Sequence, residues 1–250
     1  MRDESLPLVS CICITHNAVD LLKRSIACFQ HQTYSNTEII IAYTSDNAGT
    51  KAFLDQLCDT RIVGLEFPEQ SLTLGQKRNL AIEKSHGFYF CVWDDDDWYS
   101  NTRIEFQVQR LKDTSFKCSV LDQLLIYDGK ENEAYLSGKR WAWEQTLLCE
   151  KSVTQDPLLR YADLNYGEDS ELVFQLREKD LLLTIHNPTL YVYIYHGHNT
   201  WHRKHWEENI LQWGTKLPPG QTILVKAVLD GEYLNDEGPR LMSGLLLPKN

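Results

Sequence analysis

The sequence predicts an α/β fold in which a mostly parallel central sheet carries helices on both faces, with a small C-terminal extension. Two observations lead to this prediction. Short apolar runs rich in β-branched residues, such as LVSCICIT (8–15) and EIIIAY (38–43), are typical of strands buried on both faces of a sheet. These runs alternate with segments of helical periodicity, as parallel sheets with helical crossovers require.

The N-terminal part of the chain is predicted to alternate strands and helices. After the first strand, Asn17 can cap a helix whose apolar residues recur at helical spacing. A polar loop and a short helix at about 51–58 follow the second strand, and RIVGLEF (61–67) is the third strand. The segment GQKRNLAIEKS (75–85) predicts a helix, and FYFCVW (88–93) predicts a fourth strand.

The rest of the chain continues this pattern less regularly. An amphipathic helix with Ile104 and Leu111 on one face is predicted, and 117–151 alternates strand-like pieces with turns. PPG at 218–220 is the best candidate for a linker to a C-terminal tail. The remaining predicted elements are a helix at 168–179, strands at 181–186 and 190–195, and a Trp-rich helix at 202–213.

Composition sets limits on location and partners. The formal net charge of −10 argues against general nucleic-acid binding, because phosphate backbones are bound by clustered Lys and Arg. The seven cysteines include no CxxC pair and lie mostly in apolar runs, so we expect reduced core thiols and a cytosolic protein. Since no apolar stretch approaches the roughly 20 residues that span a bilayer, we expect neither a transmembrane helix nor export by a signal peptide.

Four consecutive aspartates follow the predicted fourth strand in WDDDDWY (93–99). Ligands of open parallel sheets bind beyond the carboxyl ends of the strands, which is where these residues fall. Crowded carboxylates repel one another unless a cation neutralises them, and oxygens at positions i and i+2 suit Mg²⁺ or Mn²⁺. The alternative is a solvated acidic turn that caps the next helix. The preceding strand favours a binding site.

Five segments occur in a recognisable order: PLVSCICITHNA, QTYSNTEIII, LGQKRNLAIEKSHGFYFCVWDDDDWY, GEDSELVFQLREK and HGHNTW. This order resembles the inverting glycosyltransferases of family 2, which have the GT-A nucleotide-sugar fold, over about residues 7–201. The resemblance implies a catalytic domain at 1–213, with a donor half at about 1–99 and an acceptor half at about 100–213, and leaves 214–250 without an assigned role.

The resemblance implies a divalent cation, Mn²⁺ or Mg²⁺, at the first and last positions of a DxD motif, here Asp94 and Asp96. Asp97 is a common extra acid of that motif. Of the four aspartates, Asp95 is therefore the one expected to take the least part in binding the metal. The helix start at Arg78 would face the diphosphate, because helix N-terminal amides and a guanidinium suit an anion; a surface helix charge is the alternative. The residues implied to lie near the donor are Thr15, His16, Asn17, Tyr43, Arg78, Asn79, Asp94 and Asp95.

Glu168 and Asp169 match the ED motif of the family. By this resemblance Asp169 is the general base that takes the proton of the acceptor hydroxyl as it attacks the anomeric carbon. A single displacement then inverts the anomeric configuration. Glu168 would orient the acceptor or cap the helix. The alternative for both acids is stabilisation of a helix N-terminus by its dipole.

His196 and His198 follow the last predicted strand. Imidazole is a good ligand for Mn²⁺, and in the family a C-terminal His often contacts the metal or the leaving diphosphate. His196 matches the first position of the family pattern His-Gly-x-Asn and is therefore the expected metal ligand. His198 ranks below it and is a candidate acceptor contact. Both could instead be loop histidines satisfied by backbone groups.

One departure from the family weakens the expectation of a uridine nucleotide. Family members commonly carry an Asp pair after the second strand, and the first Asp reads uracil. This chain has Tyr43 and Thr44 there, which bring no charge, although Tyr43 could stack on a base. A UDP-linked donor is favoured, with another nucleotide left open.

Tryptophans flank the acidic motif, and two more occur in RWAWEQT (140–146), the segment before the predicted base. Trp faces pack against the C–H faces of sugars, so Trp98 and Trp143 are candidate acceptor contacts; half-buried packing is the alternative. The stripe of Trp206, Ile210 and Trp213 could dock on a membrane that carries a lipid-linked acceptor, or pack against the sheet.

These inferences predict a metal-dependent, inverting glycosyltransferase. It would move a sugar from a nucleotide-diphosphate donor to a hydroxyl of a glycan or lipid-linked oligosaccharide, in bacterial surface polysaccharide synthesis, at a cytoplasmic location that includes the inner face of the membrane. The alternatives are a nucleotidyltransferase, which would need no base at Asp169, and a catalytically silent module that binds sugar nucleotides.

Overall fold

The computed structural model describes residues 5–68, 72–231 and 245. Its strands form one seven-stranded and one five-stranded sheet, and helices surround both. Along the chain the strands are β1 (Val9–Ile14), β2 (Thr37–Thr44), β3 (Ile62–Phe67), β4 (Tyr89–Val92), β5 (Trp98–Tyr99), β6 (Cys118–Leu121), β7 (Leu125–Asp128), β8 (Glu133–Leu136), β9 (Trp143–Glu150), β10 (Leu182–Ile185), β11 (Tyr191–Tyr195) and β12 (Thr215–Lys216).

The helices fall close to the predicted segments. Short 3₁₀ helices lie at Lys151–Gln155, Pro188–Leu190 and Leu211–Trp213. The predicted Trp-rich helix at 202–213 is therefore a shorter α-helix followed by a 3₁₀ turn. The α-helices of the described residues are α1 (Val19–Gln30), α2 (Ala48–Leu54), α3 (Leu74–Lys84), α4 (Arg103–Leu111), α5 (Ser170–Glu178), α6 (Arg203–Asn209) and α7 (Pro219–Leu229).

The large sheet has the order β10-β6-β9-β4-β1-β2-β3. The pairs β1–β2, β2–β3, β1–β4 and β6–β10 are parallel, whereas β9 is antiparallel to both β4 and β6. The predicted α/β fold with a mostly parallel sheet is confirmed. Because β1 to β4 are parallel, their carboxyl ends lie at one edge, where the acidic motif follows β4.

Alternation of side chains along β1 and β2 explains the helices on both faces. Cys13 and Ile41 belong to a buried cluster that includes Ile26 of α1. Their neighbours in sequence, such as Ile12, point to the other face and share a cluster with Ile82 of α3. Both faces of these strands are apolar, which is why the sequence reads as continuous apolar runs rather than as alternation.

The small sheet has the order β12-β8-β7-β11-β5 and extends the fold beyond the predicted domain boundary. Val225 and Val228 of α7 are fully buried in the same cluster as Leu136 of β8. The predicted linker at 218–220 is wrong, because Pro219 opens α7 and fixes the helical φ of its first turn. The division after residue 213 stays a prediction, and most of the predicted tail lies outside the described residues.

Two further expectations are corrected. Asn17 does not cap α1: the N-cap is Ala18, and Asn17 has a positive φ of 52° and donates its backbone N–H to Asn47 Oδ1. Cys118 and Cys149 face each other across β6 and β9 with Cα atoms 4.0 Å apart, and Cys58 is exposed rather than in the core. In the part of the chain that the structure describes, no helix combines the length and apolar character needed to cross a bilayer.

Candidate active site

The acidic motif connects the two sheets, running from the end of β4 to the start of β5. Trp93, fully buried, stacks on Tyr99 with ring centroids 3.9 Å apart, and this pair anchors both ends of the loop. Ser25 Oγ and the Tyr99 hydroxyl both donate to the backbone carbonyl of Asp94 at 3.0 Å. The aromatic residues of WDDDDWY therefore hold the aspartates at the carboxyl edge of the sheet.

The four aspartates have different surroundings. Asp97 is 1% exposed, accepts hydrogen bonds from the Tyr191 hydroxyl and the Ile194 backbone N–H, and has a pKa that burial raises well above its ordinary value. It fastens the loop to β11 and points away from solvent. Burial and the neighbouring Asp96 raise the pKa of Asp95 to about 8. Burial also raises the pKa of Asp94.

Arg78 of α3 joins the acidic motif to the predicted catalytic segment. Its Nη2 lies 3.1 Å from Asp94 Oδ1 and its Nε lies 3.1 Å from Glu168 Oε1. The guanidinium also lies over the Tyr161 ring, 5.5 Å from the centroid. With 7% exposure, Arg78 is not a surface helix charge. It is a buried bridge whose charge is already shared by two carboxylates.

The start of α3 is covered by the loop that carries the ED motif. The Leu74 N–H donates to Asn165 Oδ1 and the Gly75 N–H donates to the Leu164 carbonyl, both at 3.0 Å. A Cβ on Gly75 would lie 1.8 Å from the Ala162 carbonyl oxygen, so only glycine allows this approach. The expectation that these amides face a donor diphosphate is wrong, because protein groups occupy them.

Asn79 is also placed differently from the prediction. Its side-chain amide bonds to the carbonyl and the N–H of Tyr161, at 2.9 and 3.1 Å. These two bonds hold the backbone that leads to the ED motif. Asn79 lines a separate pocket, together with Phe88 and Lys151, and is not among the residues that line the main cleft. A direct donor contact by Asn79 does not fit this placement.

Asp169 and Glu168 differ in what their carboxylates contact. Asp169 stands at the N-cap of α5, where its backbone carbonyl accepts from the Val173 N–H, yet its side chain makes no capping bond, and among the described residues its carboxylate has no hydrogen-bond or ion-pair partner. Glu168 is 3% exposed and pairs with Arg78, and burial raises its pKa. The carboxylate of Asp169 is therefore open to a ligand, whereas Glu168 is paired with Arg78; a contact of Glu168 with an acceptor stays a prediction.

The loop after β11 brings His196 to the acidic motif. His196 Nε2 lies 3.0 Å from Asp96 Oδ2, and the Asn199 amide donates to the same oxygen at 3.3 Å. The Asn199 side chain also accepts from the His196 N–H and donates to the Ile194 carbonyl, which fixes the turn. His198 is exposed and is not among the residues that line the cleft, so an acceptor contact by His198 does not fit its position.

The ends of β1 and β2 form a polar network around Asn47, which is 1% exposed. The Asn47 amide nitrogen lies 3.1 Å from His16 Nδ1 and 3.0 Å from Thr44 Oγ1. Thr44 also bonds to the side chain of Asp46. Thr15 is 4% exposed, and its buried hydroxyl has no hydrogen-bond partner among the described residues.

Tyr43 does not take the place predicted for it. It is 5% exposed, packs its ring against Gly64, and reaches Glu66 with its hydroxyl at 3.4 Å. The side chain points to the face of the sheet that carries α2, because Thr44 uses the other face. With 5% exposure, the ring offers no open face on which a base could stack.

One cleft of about 450 Å³ brings the acidic and aromatic groups together. Trp143 lines it with 3% exposure, and its predicted acceptor contact stays a prediction. Trp98 is 1% exposed in the core and does not line the cleft, so an acceptor contact does not fit its position. Trp213 is 68% exposed, whereas Trp206 is fully buried. The residues of the predicted membrane-docking stripe therefore do not lie on one exposed face.

Sequence reasoning missed several lining residues. Trp201 stood inside the HGHNTW motif, and Arg140 stood beside the tryptophans in RWAWEQT, but no pattern assigned either of them a role. The residues that line the cleft besides those predicted include Arg140, Glu144, Asn165, Tyr166, Asn199, Trp201 and His205.

The donor set fits a hard divalent cation. Asp94 and Asp96 offer carboxylate oxygens in the cleft, His196 offers an imidazole nitrogen, and mutual repulsion raises the pKa of Asp94 after the effect of burial. The described residues contain no group of three or more His, Cys, Asp or Glu side chains already arranged to hold a metal. Phosphate oxygens of a donor would therefore have to complete any coordination shell.

Solved structures share this architecture. A fragment of TarS from S. aureus in complex with UDP-GlcNAc is similar with a TM-score of 0.65 and 10% identity, over 77% of this chain and 60% of that chain. The mannosyltransferase PcManGT from Pyrobaculum calidifontis, in complex with GDP-Man and Mn²⁺, is similar with a TM-score of 0.62 and 12% identity, over 97% and 74%. The fold is that of the GT-A glycosyltransferases.

The sequence defines the family. The model for glycosyl transferase family 2 matches residues 10–159, which is more than half of the chain. The protein belongs to glycosyl transferase family 2, as the motif order predicted.

Curated relatives match over shorter segments. The E. coli UDP-Glc:alpha-D-GlcNAc-diphosphoundecaprenol beta-1,3-glucosyltransferase WfaP is 30% identical over 103 residues, 41% of each chain. The putative teichuronic acid biosynthesis glycosyltransferase TuaG of Bacillus subtilis is 27% identical over 133 residues, 52% of each chain. The matched segments thus span about half or less of those relatives.

Proposed function

We propose that this protein is an inverting glycosyltransferase that moves a sugar from a nucleotide-diphosphate donor to a hydroxyl of a glycan or lipid-linked acceptor, in the synthesis of a bacterial surface polysaccharide. The observation that carries the proposal is the cleft itself. It contains the unpartnered carboxylate of Asp169 together with the acidic motif at Asp94 to Asp96. One carboxylate free to accept a proton and a separate acidic site at the strand ends are what this displacement needs.

In the proposed reaction Asp169 accepts the proton of the acceptor hydroxyl as that oxygen attacks the anomeric carbon. The bond from this carbon to the diphosphate breaks on the opposite face, so the configuration inverts. A divalent cation, Mn²⁺ or Mg²⁺, held by Asp94, Asp96 and His196 would offset the charge that develops on the departing diphosphate. Arg78 keeps the two parts of the site in register because it bonds to both Asp94 and Glu168.

The donor is proposed to be a UDP-sugar. Support comes from the UDP-GlcNAc complex of TarS and from the UDP-Glc named for WfaP. The GDP-Man complex of PcManGT shows that the fold accepts another base. The acceptor proposal rests on the diphosphoundecaprenol-linked sugar and the teichuronic acid named for the curated relatives. Peripheral contact with the inner face of a membrane would suit a lipid-linked acceptor.

Release of nucleoside diphosphate from a panel of nucleotide sugars, with Mn²⁺ and with chelator, tests the proposal. We expect slow donor hydrolysis that depends on the cation and on Asp169, because water can use the same base. NMR of a transfer product would give the anomeric configuration. Retention of configuration, or release of pyrophosphate from a nucleoside triphosphate and a sugar phosphate, would reject the proposal in favour of another reaction.

A further inference from the structure

The wall of the cleft beyond the carboxylates is built from aromatic rings. Trp201 stacks on His205 with centroids 4.0 Å apart and an angle of 14° between the planes. The Tyr166 ring lies 5.4 Å from Trp201, and Tyr166 is 58% exposed. All three residues line the cleft that contains Asp169. Such rings can cover the apolar C–H face of a sugar with little loss of side-chain entropy.

Arg140 supplies a positive charge beside these rings. Its guanidinium lies 4.4 Å from the centroid of the Trp143 ring, and its Nη2 donates to the Asn209 carbonyl at 2.5 Å. Burial lowers the pKa of His205, and the nearby positive charge of Arg140 contributes. These contacts orient the guanidinium along the aromatic wall and leave the other N–H donors available to a ligand.

The two arginines of the cleft are not equivalent. Arg78 is paired with Asp94 and Glu168, whereas Arg140 forms no ion pair among the described residues. Glu144, an acid of the wall, is half-buried; burial raises its pKa, and the charge of Arg140 opposes this rise. Arg140 is exposed at the wall of the cleft, and in a chain with a net charge of −10 a guanidinium without an ion-pair partner at this place suits an anionic ligand.

We propose that the acceptor carries an anionic group, a phosphate or a carboxylate, next to its accepting sugar, and that Arg140 pairs with this group while the sugar lies on Trp201. The inference rests on the proposed glycosyltransferase function and specifies the acceptor of the same site. A diphosphate linked to a lipid and the carboxylate of a uronic acid would both supply this chemistry. A planar guanidinium binds either group through two parallel hydrogen bonds.

Direct binding of three probes tests the proposal without any donor. Octyl glucoside is neutral, octyl glucuronide carries a carboxylate, and the octyl ester of glucose 1-diphosphate carries phosphates. By calorimetry we expect at least one anionic probe to bind about tenfold or more tightly than octyl glucoside. The probe that shows the larger preference identifies the source of the negative charge.

The variants separate the two parts of the site. Arg140→Gln should remove the preference for the anionic probe, whereas Trp201→Ala should weaken all three probes and Trp201→Phe should restore most of the binding. Arg177→Gln is the matched control, because Arg177 lies over the Trp141 ring at 4.8 Å, outside the cleft. Thermal unfolding confirms that each variant is folded.

Two results would overturn the proposal. One is a wild-type protein that binds the neutral and anionic probes equally, or an Arg140→Gln variant that matches Arg177→Gln. The other is a loss of donor affinity in Arg140→Gln with unchanged probe binding, which would assign Arg140 to the donor diphosphate. Failure of the proposed function has a different signature, because the wild type would then bind and hydrolyse no nucleotide sugar whatever it does with the probes.

Discussion

His196 Nε2 lies 3.0 Å from Asp96 Oδ2, although the two residues are 100 positions apart in the sequence. The pairing brings the loop after β11 onto the acidic motif after β4. It places an imidazole nitrogen and a carboxylate where one cation could bind both. His198, two positions further on, points into solvent and provides a matched comparison.

The first prediction concerns this pair. His196→Ala should weaken Mn²⁺-dependent binding of UDP by about tenfold or more, because an imidazole ligand or its support to Asp96 is lost. His198→Ala should change it by less than about twofold. Asp96→Asn should abolish the Mn²⁺ dependence, with Asp55→Asn as an exposed acid control. Calorimetry with Mn²⁺ and with chelator measures these effects, and equal losses in both histidine variants would refute the assignment.

The second prediction concerns the general base. Asp169→Asn preserves size but removes basicity, so turnover should fall by about 10²–10⁴-fold while donor affinity stays nearly constant. Glu171→Gln is the control, because Glu171 is an exposed acid on the same helix, α5. Single-turnover transfer and direct donor binding report the two effects separately. Turnover of Asp169→Asn within a few-fold of wild type would show that Asp169 is not the base.

Glu168→Gln should behave differently from Asp169→Asn. Glu168 accepts a charged hydrogen bond from Arg78 and is buried, so its replacement leaves Arg78 with a neutral partner. We expect a loss of stability of about 1–3 kcal/mol together with a smaller loss of turnover. Chemical denaturation measures the first and single-turnover kinetics the second. Unchanged stability with a turnover loss as large as that of Asp169→Asn would place Glu168 in the chemistry instead.

The third prediction concerns the contact between α3 and the ED loop. Gly75→Ala should displace the loop at 162–168, because the new Cβ would lie 1.8 Å from the Ala162 carbonyl oxygen. We expect destabilisation of about 1–3 kcal/mol and loss of transfer activity. Gly220→Ala in α7 is the control, since a Cβ there has open space and should be neutral or slightly stabilising. Equal melting temperatures for the two variants would contradict the close approach.

The fourth prediction concerns the nucleotide. Tyr43→Phe should leave UDP and GDP affinity within about twofold of wild type, because the buried hydroxyl reaches only Glu66. Asn47→Ala should weaken nucleotide binding, because Asn47 holds His16, Asn17 and Thr44 together at the ends of β1 and β2. Calorimetry with both nucleotides tests this. A large loss in Tyr43→Phe would show instead that the Tyr43 hydroxyl contacts the nucleotide.

Local sequence patterns predicted the strands of the large sheet and most of the helices that pack on it. Apolar runs such as EIIIAY are long enough, and apolar enough on both faces, to require burial between two helical layers. The same patterns placed the acidic motif at the carboxyl end of β4, since parallel strands share one edge. Motif order added the family and pointed to Asp169, whose carboxylate has no hydrogen-bond or ion-pair partner in the part of the chain that the structure describes.

Tertiary structure decided which member of each motif faces the cleft. Trp98 stands beside residues of the cleft in sequence, yet it is buried and does not line the cleft, because the backbone turns there to join β5 to β11. Tyr43 points away from the nucleotide edge because side chains alternate along β2. The sequence carried no local signal for these directions.

Long-range pairing was equally beyond the reach of local patterns. Arg78 meets Glu168 across 90 positions, and the N-terminus of α3 contacts a loop that no periodicity relates to it. A buried guanidinium needs carboxylate partners, but the sequence does not indicate which of the acidic residues supplies them. Periodicity reports the environment of a residue's own helix or strand, whereas the partner of a buried charge depends on how distant elements pack, so only the folded chain assigns it.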